Sequence, residues 1–235
     1  MKTTIFAALL CLLGVSDGFA ADMPMPAPPV PPDRYAPILN YDWSGFYVGI
    51  NGGYGFGHSN WSNTSLPFET GAFGGNGALA GATLGINYQA GQFVFGFEAD
   101  ADWTGFKGTS AVAYCSAITT GAVCETQERW LATFRARIGY AVDRFLIFGT
   151  AGGATGSIWG GLTPPGSFDI SNNFGWTAGG GIETTIVQNW TAKIEYLYVN
   201  LGSGVCPTNC GLAVPISVPF NENLVRVGVN YRFAF

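Results

Sequence analysis

Val225-Arg-Val-Gly-Val-Asn-Tyr-Arg-Phe-Ala-Phe235 alternates apolar side chains with small, polar or charged ones to its last residue. Successive side chains of an extended strand point to opposite faces. Val225, Val227, Val229, Tyr231, Phe233 and Phe235 therefore share one face, and Arg226, Gly228, Asn230 and Arg232 the other. One face suits lipid; the other needs water or counter-charge. Two inward arginines fit a sandwich core poorly but suit the closing strand of a transmembrane β-barrel.

The composition agrees with that reading. The chain of 235 residues carries 35 Gly, 15% aromatic residues and only 11% charged residues, against a usual charged share of about 25%. Lipid-facing strands explain the deficit. Past the amino-terminal region no apolar run approaches the roughly 18 residues of a helical span, which leaves the barrel as the membrane architecture. A net charge of −5 argues against a nucleic-acid partner, which calls for a basic patch.

Met1-Lys2, the apolar stretch Ile5 to Val15 and the small-x-small site Gly18-Phe19-Ala20 together predict a secretory signal over residues 1–20. The apolar stretch falls short of the about 20 residues that a spanning helix needs. Residues 21–42 predict a periplasmic linker: Pro24, Pro26, Pro28, Pro29, Pro31, Pro32 and Pro37 favour extended polyproline II and cannot pair as a strand. The barrel is expected to occupy residues 43–235.

Eight alternating segments follow, at about 44–57, 78–89, 93–103, 128–141, 144–156, 174–187, 190–198 and 225–235. The fold class is therefore all-β, an eight-stranded antiparallel up-and-down transmembrane β-barrel, with the even strand count of bacterial single-chain barrels. The fifth segment is apolar or small on both faces, so its register stays open. Tight turns at Ala90-Gly91, Val142-Asp143 and Gln188-Asn189 alternate with long connections at 58–77, 104–127, 157–173 and 200–221. The pattern predicts a bacterial outer-membrane location with extracellular long loops and periplasmic short turns and termini.

Charged residues concentrate on the inward face: Glu98, Asp100, Asp102, Glu183 and Glu195 against Arg129, Arg135, Arg137, Lys193, Arg226 and Arg232. A lumen of eight strands is just wide enough for its own side chains, so these groups are predicted to interlock in a charge network. Trp43, Trp103, Trp130, Trp176 and Trp190 lie near strand ends, where aromatic residues form girdles at headgroup level. Cys115 with Cys124, and Cys206 with Cys210, predict two local disulfides in an exported chain. No His accompanies them as a zinc ligand, and Cys206-Pro-Thr-Asn-Cys210 is one residue too long for a Cys-x-x-Cys redox pair.

Four stretches carry a family resemblance: Asp42-Trp-Ser-Gly-Phe-Tyr-Val-Gly-Ile-Asn-Gly-Gly-Tyr-Gly55, Gly175-Trp-Thr-Ala-Gly-Gly-Gly-Ile-Glu183, Trp190-Thr-Ala-Lys-Ile-Glu-Tyr-Leu-Tyr198 and the ending at Phe235. In this order the chain resembles the RopB-type small outer-membrane proteins of α-proteobacteria, related in fold to the membrane domain of OmpA. The resemblance implies an eight-stranded barrel without catalytic residues. It also implies that Tyr231, Phe233 and Phe235 form an assembly signal read by the outer-membrane insertion machinery.

The function expected is structural: a barrel that supports envelope integrity and displays surface loops. A narrow ion channel is the first alternative, and an adhesin or haem-binding surface protein the further one. His58 is the single histidine, and no second residue converges on it as a catalytic partner. A haem site would lean on His58 and Tyr114, since His and Tyr are axial ligands, but no motif supports it. No metal site and no cofactor are expected. The expected partners are outer-membrane lipid with lipopolysaccharide, the insertion machinery and an extracellular ligand at the loops.

Overall fold

The strands are longer than the membrane requires. In a computed structural model that describes residues 41–60, 62–63, 68–69, 71–111, 120–163, 167–206 and 216–234, every regular element is a strand. β1 covers Gly45–Ser59, β4 Phe73–Ala90, β5 Phe93–Ser110, β6 Val123–Val142, β7 Phe145–Thr163, β8 Ser167–Val187, β9 Trp190–Cys206 and β10 Ile216–Phe233; β2 (Ser62–Asn63) and β3 (Phe68–Glu69) are two-residue strands. The eight long strands run from 15 to 21 residues, whereas a tilted membrane strand needs about 9–11.

Each long strand pairs antiparallel with its sequence neighbour, and β1 pairs with both β4 and β10, Phe46 lying opposite Ile86 on one side and Phe233 on the other. The sheet therefore closes on itself. Closure leaves neither β1 nor β10 as a free edge, so the ladders can pair their N–H and C=O groups inside the wall, as hydrocarbon demands. The β2–β3 ribbon attaches at one point, where Ser62 pairs with Ser217 of β10.

Three two-residue turns, Gly91-Gln92, Asp143-Arg144 and Gln188-Asn189, join β4–β5, β6–β7 and β8–β9 at one end. The first residue of each has positive φ, at 64°, 52° and 43°, as two-residue hairpin turns demand. These positions agree with the sequence reading. The other connections do not: β1 continues to Ser59, β5 to Ser110, β6 begins at Val123, and only residues 164–166 separate β7 from β8. The wall thus runs into all four segments expected as loops at 58–77, 104–127, 157–173 and 200–221, taking residues 58–59 and 73–77, 104–110 and 123–127, 157–163 and 167–173, and 200–206 and 216–221. Turn-rich composition misled the reading there, because glycine and serine tolerate a β-ladder once neighbouring strands supply the hydrogen bonds. His58 accordingly lies on β1, exposed on its outer face, not in a loop.

The structure also sets the register of β7. Leu146, Phe148, Thr150, Ala154 and Ile158 are buried, while Phe145 and Ile147 are exposed. On the outer surface Ile50, Leu84, Phe97, Phe134, Ile138, Ile182, Ile194, Val227 and Val229 form an apolar belt, with Phe97 stacked on Phe134 at 5.9 Å. Trp190, Tyr231 and Phe233 pack edge to face near the short-turn end, and Trp103, Trp130 and Trp176 stand toward the other. Trp43 departs from the expected girdle: it is 1% exposed and packs inside with Val94, Ala141, Leu146 and Phe148. Its position before β1 lets the chain fold inward across the barrel end, where the Trp43 backbone N–H donates to Gln89 Oε1 at 2.7 Å.

Candidate functional site

Alternation places one side chain of every second residue in the lumen, and the lumen is built in three layers. At the short-turn end, Trp43, Val94, Ala141, Leu146 and Phe148 form an apolar cap, with the ring of Tyr41 edge-on to Trp43. Beyond it lies a charged layer. A second apolar cluster follows toward the far end, holding Leu79, Phe106, Leu131, Ile158, Leu197, Val199, Phe220 and Leu224. β9 reads through all of this in order: Lys193 and Glu195 in the charged layer, then Leu197, Val199 and Leu201 in the apolar one.

The charged layer is a continuous network. Arg135 Nη2 lies 2.6 Å from Glu98 Oε1 and also contacts Asp100, while its Nη1 lies 3.1 Å from Glu195 Oε2. Arg226 reaches Asp102 at 2.6 Å, Glu195 at 2.7 Å and Asp100 at 3.3 Å. Lys193 Nζ bridges Glu98 at 2.9 Å and Glu195 at 3.3 Å. Arg137 pairs with Glu183, approaches Glu98 at 3.6 Å and stacks 3.8 Å over the Phe148 ring. The side chains of these nine residues are at most 4% exposed. Buried charge is tolerated because each group finds opposite charge and further hydrogen bonds.

Neutral groups complete the acceptors. Tyr47 O–H donates to Glu98 Oε2 at 2.8 Å, the Thr83 and Thr133 hydroxyls donate to Asp100 at 2.8 and 3.0 Å, and Asn230 Nδ2 donates to Glu183 at 2.9 Å. Their inward placement follows from strand parity; their role as donors was not legible in the sequence. Oxygens of Glu98, Asp100 and Glu195 lie within 4.8 Å of one another, but Arg135, Lys193 and Arg226 already neutralise that group. A Cβ on Gly85 would stand 2.2 Å from the Tyr47 ring, so glycine is what lets this ring lie flat beside Glu98. Gly85→Val is expected to destabilise the barrel by about 1–3 kcal/mol through overpacking. Tyr47→Phe should cost less, about 1 kcal/mol, because Glu98 keeps its two strongest cations. Urea midpoints of the vesicle-inserted protein check both.

Nine of the eleven predicted charges meet in this layer. Arg232 stands apart at the short-turn end, donating to the Tyr41 hydroxyl at 3.0 Å and to Ser44 O at 2.6 Å. Arg129 does not enter the lumen: it is exposed, with its guanidinium 3.8 Å over the Trp159 ring. The cause is a register shift in the β5–β6 ladder between Trp103 and Phe106, and in β6–β7 between Glu128 and Leu131. A bulge adds a residue and reverses parity, so Glu128 points inward where Arg129 was expected. Glu222 is inward as well, and sequence reading missed both.

Cys124 is buried and disulfide-bonded. Cys115 and Cys210 lie outside the described residues, and only the backbone of Cys206 is described, so the predicted pairs remain expectations. Tyr114 and Phe235 also lie outside, as do residues 1–40. Tyr231 and Phe233 sit on the outer face near the short-turn end, with ring centroids 4.9 Å apart.

A family model described as outer membrane protein beta-barrel domain matches residues 7–233. The chain is 32% identical to the 31 kDa outer-membrane immunogenic protein of Brucella melitensis biotype 1, covering 99% of this chain and 100% of the relative. It is 31% identical to a 22 kDa outer membrane protein of Rhizobium leguminosarum bv. viciae, covering 81% and 78%. Among solved structures, the outer membrane protein OprG of Pseudomonas aeruginosa aligns with a TM-score of 0.53 at 12% identity, over 82% of this chain and 97% of that one. The last likeness is one of fold alone.

Proposed function

Since the chain belongs to the outer membrane protein β-barrel domain family, we propose that it acts in the outer membrane as a structural barrel with a sealed lumen, stiffening the envelope and presenting its long-connection end to the exterior. The observation that carries this reading is the layering of the lumen. A conducting path past Arg135 and Arg226 would still have to cross the cluster of Leu131, Leu197, Phe220 and Leu224 at one end. It would also have to cross Trp43 and Leu146 at the other. Moving an ion from water into such surroundings costs several kcal/mol, and the Glu128 and Glu222 carboxyls that the far layer encloses are themselves buried.

Charge pairing supports the same reading. The side chains of Arg135 and Arg226 are 0% exposed, so neither offers a free coordination position to a passing ion. The Brucella relative is described as immunogenic, and surface display in this chain is the corresponding proposal. By the rule for bacterial barrels, the short turns face the periplasm and the longer connections the exterior. Lipid and lipopolysaccharide are then the partners of the apolar belt, the insertion machinery of the strand bearing Tyr231 and Phe233, and an extracellular ligand of the exposed connections. Haem binding gains no support from His58 on the outer wall of β1.

A deletion strain tests the proposal. Loss of the chain is expected to raise sensitivity to bile-salt detergent, and a copy shortened only within residues 207–215 should restore resistance. Unchanged detergent resistance combined with slower uptake of small solutes would favour the narrow channel instead.

A further inference from the structure

Two cations remain once the lumen is accounted for. Among the described residues, Arg135, Arg137, Lys193 and Arg226 lie in the charged layer, and Arg144 and Arg232 lie at the short-turn end. Lys107 and Arg129 are left, both exposed on the outer wall toward the long-connection end, on the adjacent strands β5 and β6. A charge on the lipid-facing wall is costly at the midplane and tolerated near the headgroups. Trp103 and Trp130, paired with each other one step nearer the midplane, mark that headgroup level.

The bulge brings the two cations together. The β5–β6 ladder passes from Trp103–Trp130 directly to Phe106–Glu128, so Glu128 turns into the lumen and Arg129 outward. Lys107 lies opposite Gln127, which makes Arg129 its diagonal neighbour on the same face, at a spacing of roughly 7–8 Å. At this place the wall holds a cavity of about 490 Å³ whose lining includes Trp103, Thr104, Gly105, Lys107, Gln127 and Arg129. Both cations keep donors free. The Arg129 guanidinium lies 3.8 Å over the Trp159 ring, a stacking contact that holds its face and leaves the N–H groups at its edge; no carboxylate pairs with it among the described residues. Lys107 Nζ lies 2.8 Å from Glu125 Oε1, but the lysine side chain is 57% exposed and the glutamate's only 4%. An ammonium has three donors, so the outside meets the cation rather than its partner.

Nearer the midplane the same seam is apolar and hollow. Its next outward pairs are Ala101–Ala132 and Ala99–Phe134. Small side chains set among aromatic ones leave a hollow of about 180 Å³ against Ala101, Trp103 and Trp130. Another of about 240 Å³ lies against Ala99, Phe97, Phe134 and Leu84. Cations at headgroup level above apolar hollows match an amphiphile with an anionic head and acyl chains better than a soluble anion.

We propose that the β5–β6 bulge binds one lipopolysaccharide molecule through a phosphate of its lipid A headgroup. Arg129 offers its planar donor edge to two phosphate oxygens and Lys107 adds a point charge, while an acyl chain lies along the Ala101–Ala132 seam. The choice of lipopolysaccharide over phospholipid rests on the orientation proposed above, which puts this end of the barrel in the outer leaflet.

Native mass spectrometry of the refolded full chain in neutral detergent, titrated with bisphosphorylated lipid A, counts the bound molecules. Wild type is expected to saturate at one lipid A. Arg129→Gln should weaken binding about tenfold or more, and Lys107→Gln by a smaller factor, as loss of a charge-assisted contact does. Arg144→Gln, at the short-turn end, should leave binding unchanged. Lipid A stripped of its phosphates should bind wild type as weakly as intact lipid A binds Arg129→Gln. Equal binding by wild type and Arg129→Gln, or equal binding of the dephosphorylated lipid, overturns the proposal. Displacement of lipid A by inorganic phosphate overturns it too, since the site would then take a free anion. Displacement by phosphatidylglycerol at equal concentration does the same, since the site would then take a phospholipid. Solubilised protein has no sidedness, so these results judge the site alone. A protease-cleavable tag within residues 207–215 judges the orientation: it should be cut on intact cells, and its protection would overturn the outward reading, and lipopolysaccharide with it, even where binding holds.

Discussion

Arg226→Ala is expected to destabilise the inserted barrel by about 3–5 kcal/mol, the cost of leaving buried charge without its partner. The guanidinium is fully buried and lies 2.6 Å from Asp102, 2.7 Å from Glu195 and 3.3 Å from Asp100. Its three partners do not suffer equally. Asp100 keeps Arg135, and Glu195 keeps Arg135 and Lys193, whereas Asp102 has no other ion pair among the described residues. Most of the loss should therefore belong to Asp102. Combining Arg226→Ala with Asp102→Ala is expected to recover a large part of the lost stability, a coupling that a double-mutant cycle measures directly. Urea unfolding from lipid vesicles, followed by tryptophan fluorescence, supplies the midpoints. A loss below about 1 kcal/mol would mean that these charges are hydrated, as surface pairs are, and that water fills the lumen.

Ile194→Arg should be nearly as damaging for the opposite reason. Ile194 is 53% exposed, and on a soluble barrel such a change would cost little. On β9 it stands midway between the outward rings of Trp190 and Tyr198, and its neighbours across the ladder are Ile182 and Val227. That position places it near the bilayer midplane, where an arginine on the lipid face costs about 2–4 kcal/mol. The same substitution at Asn223, on the outer face of β10 nearer the long-connection end, should cost a fraction of that, because the penalty fades toward the interface. Equal effects at both positions would contradict the assigned depth.

How far the sequence foretold the structure depends on parity. Period-two alternation fixed which face of β1, β4, β5, β9, β10 and the stretch of β6 from Leu131 onward turns inward, and with it the meeting of Glu98, Asp100, Arg135, Lys193, Glu195 and Arg226. Parity fails wherever a bulge intervenes. The shifts near Trp103 and Glu128 have no strong local signal apart from Gly105, so Arg129 was placed inside and Glu128 overlooked. The apolar layers were missed for a different reason. Glycine- and serine-rich stretches look like loops until a neighbouring ladder holds them extended, and ending β9 at Tyr198 hid Val199 and Leu201. Trp43 illustrates a further limit: a tryptophan beside a strand end fits an interface girdle and a lumen cap equally well until the path of the preceding chain is known. In β7, small residues on both faces leave no amphipathic contrast, and only pairing with β6 and β8 sets its register.

The most direct test of the sealed lumen is planar-bilayer recording on the refolded barrel, after heat-modifiable migration has confirmed its folding. The expected result is silence from wild type, and silence again from Arg135→Gln where that variant folds, since the apolar layers at both ends remain. Discrete openings in wild type, altered in size or ion preference by Arg135→Gln, would contradict the account and make the protein a small channel.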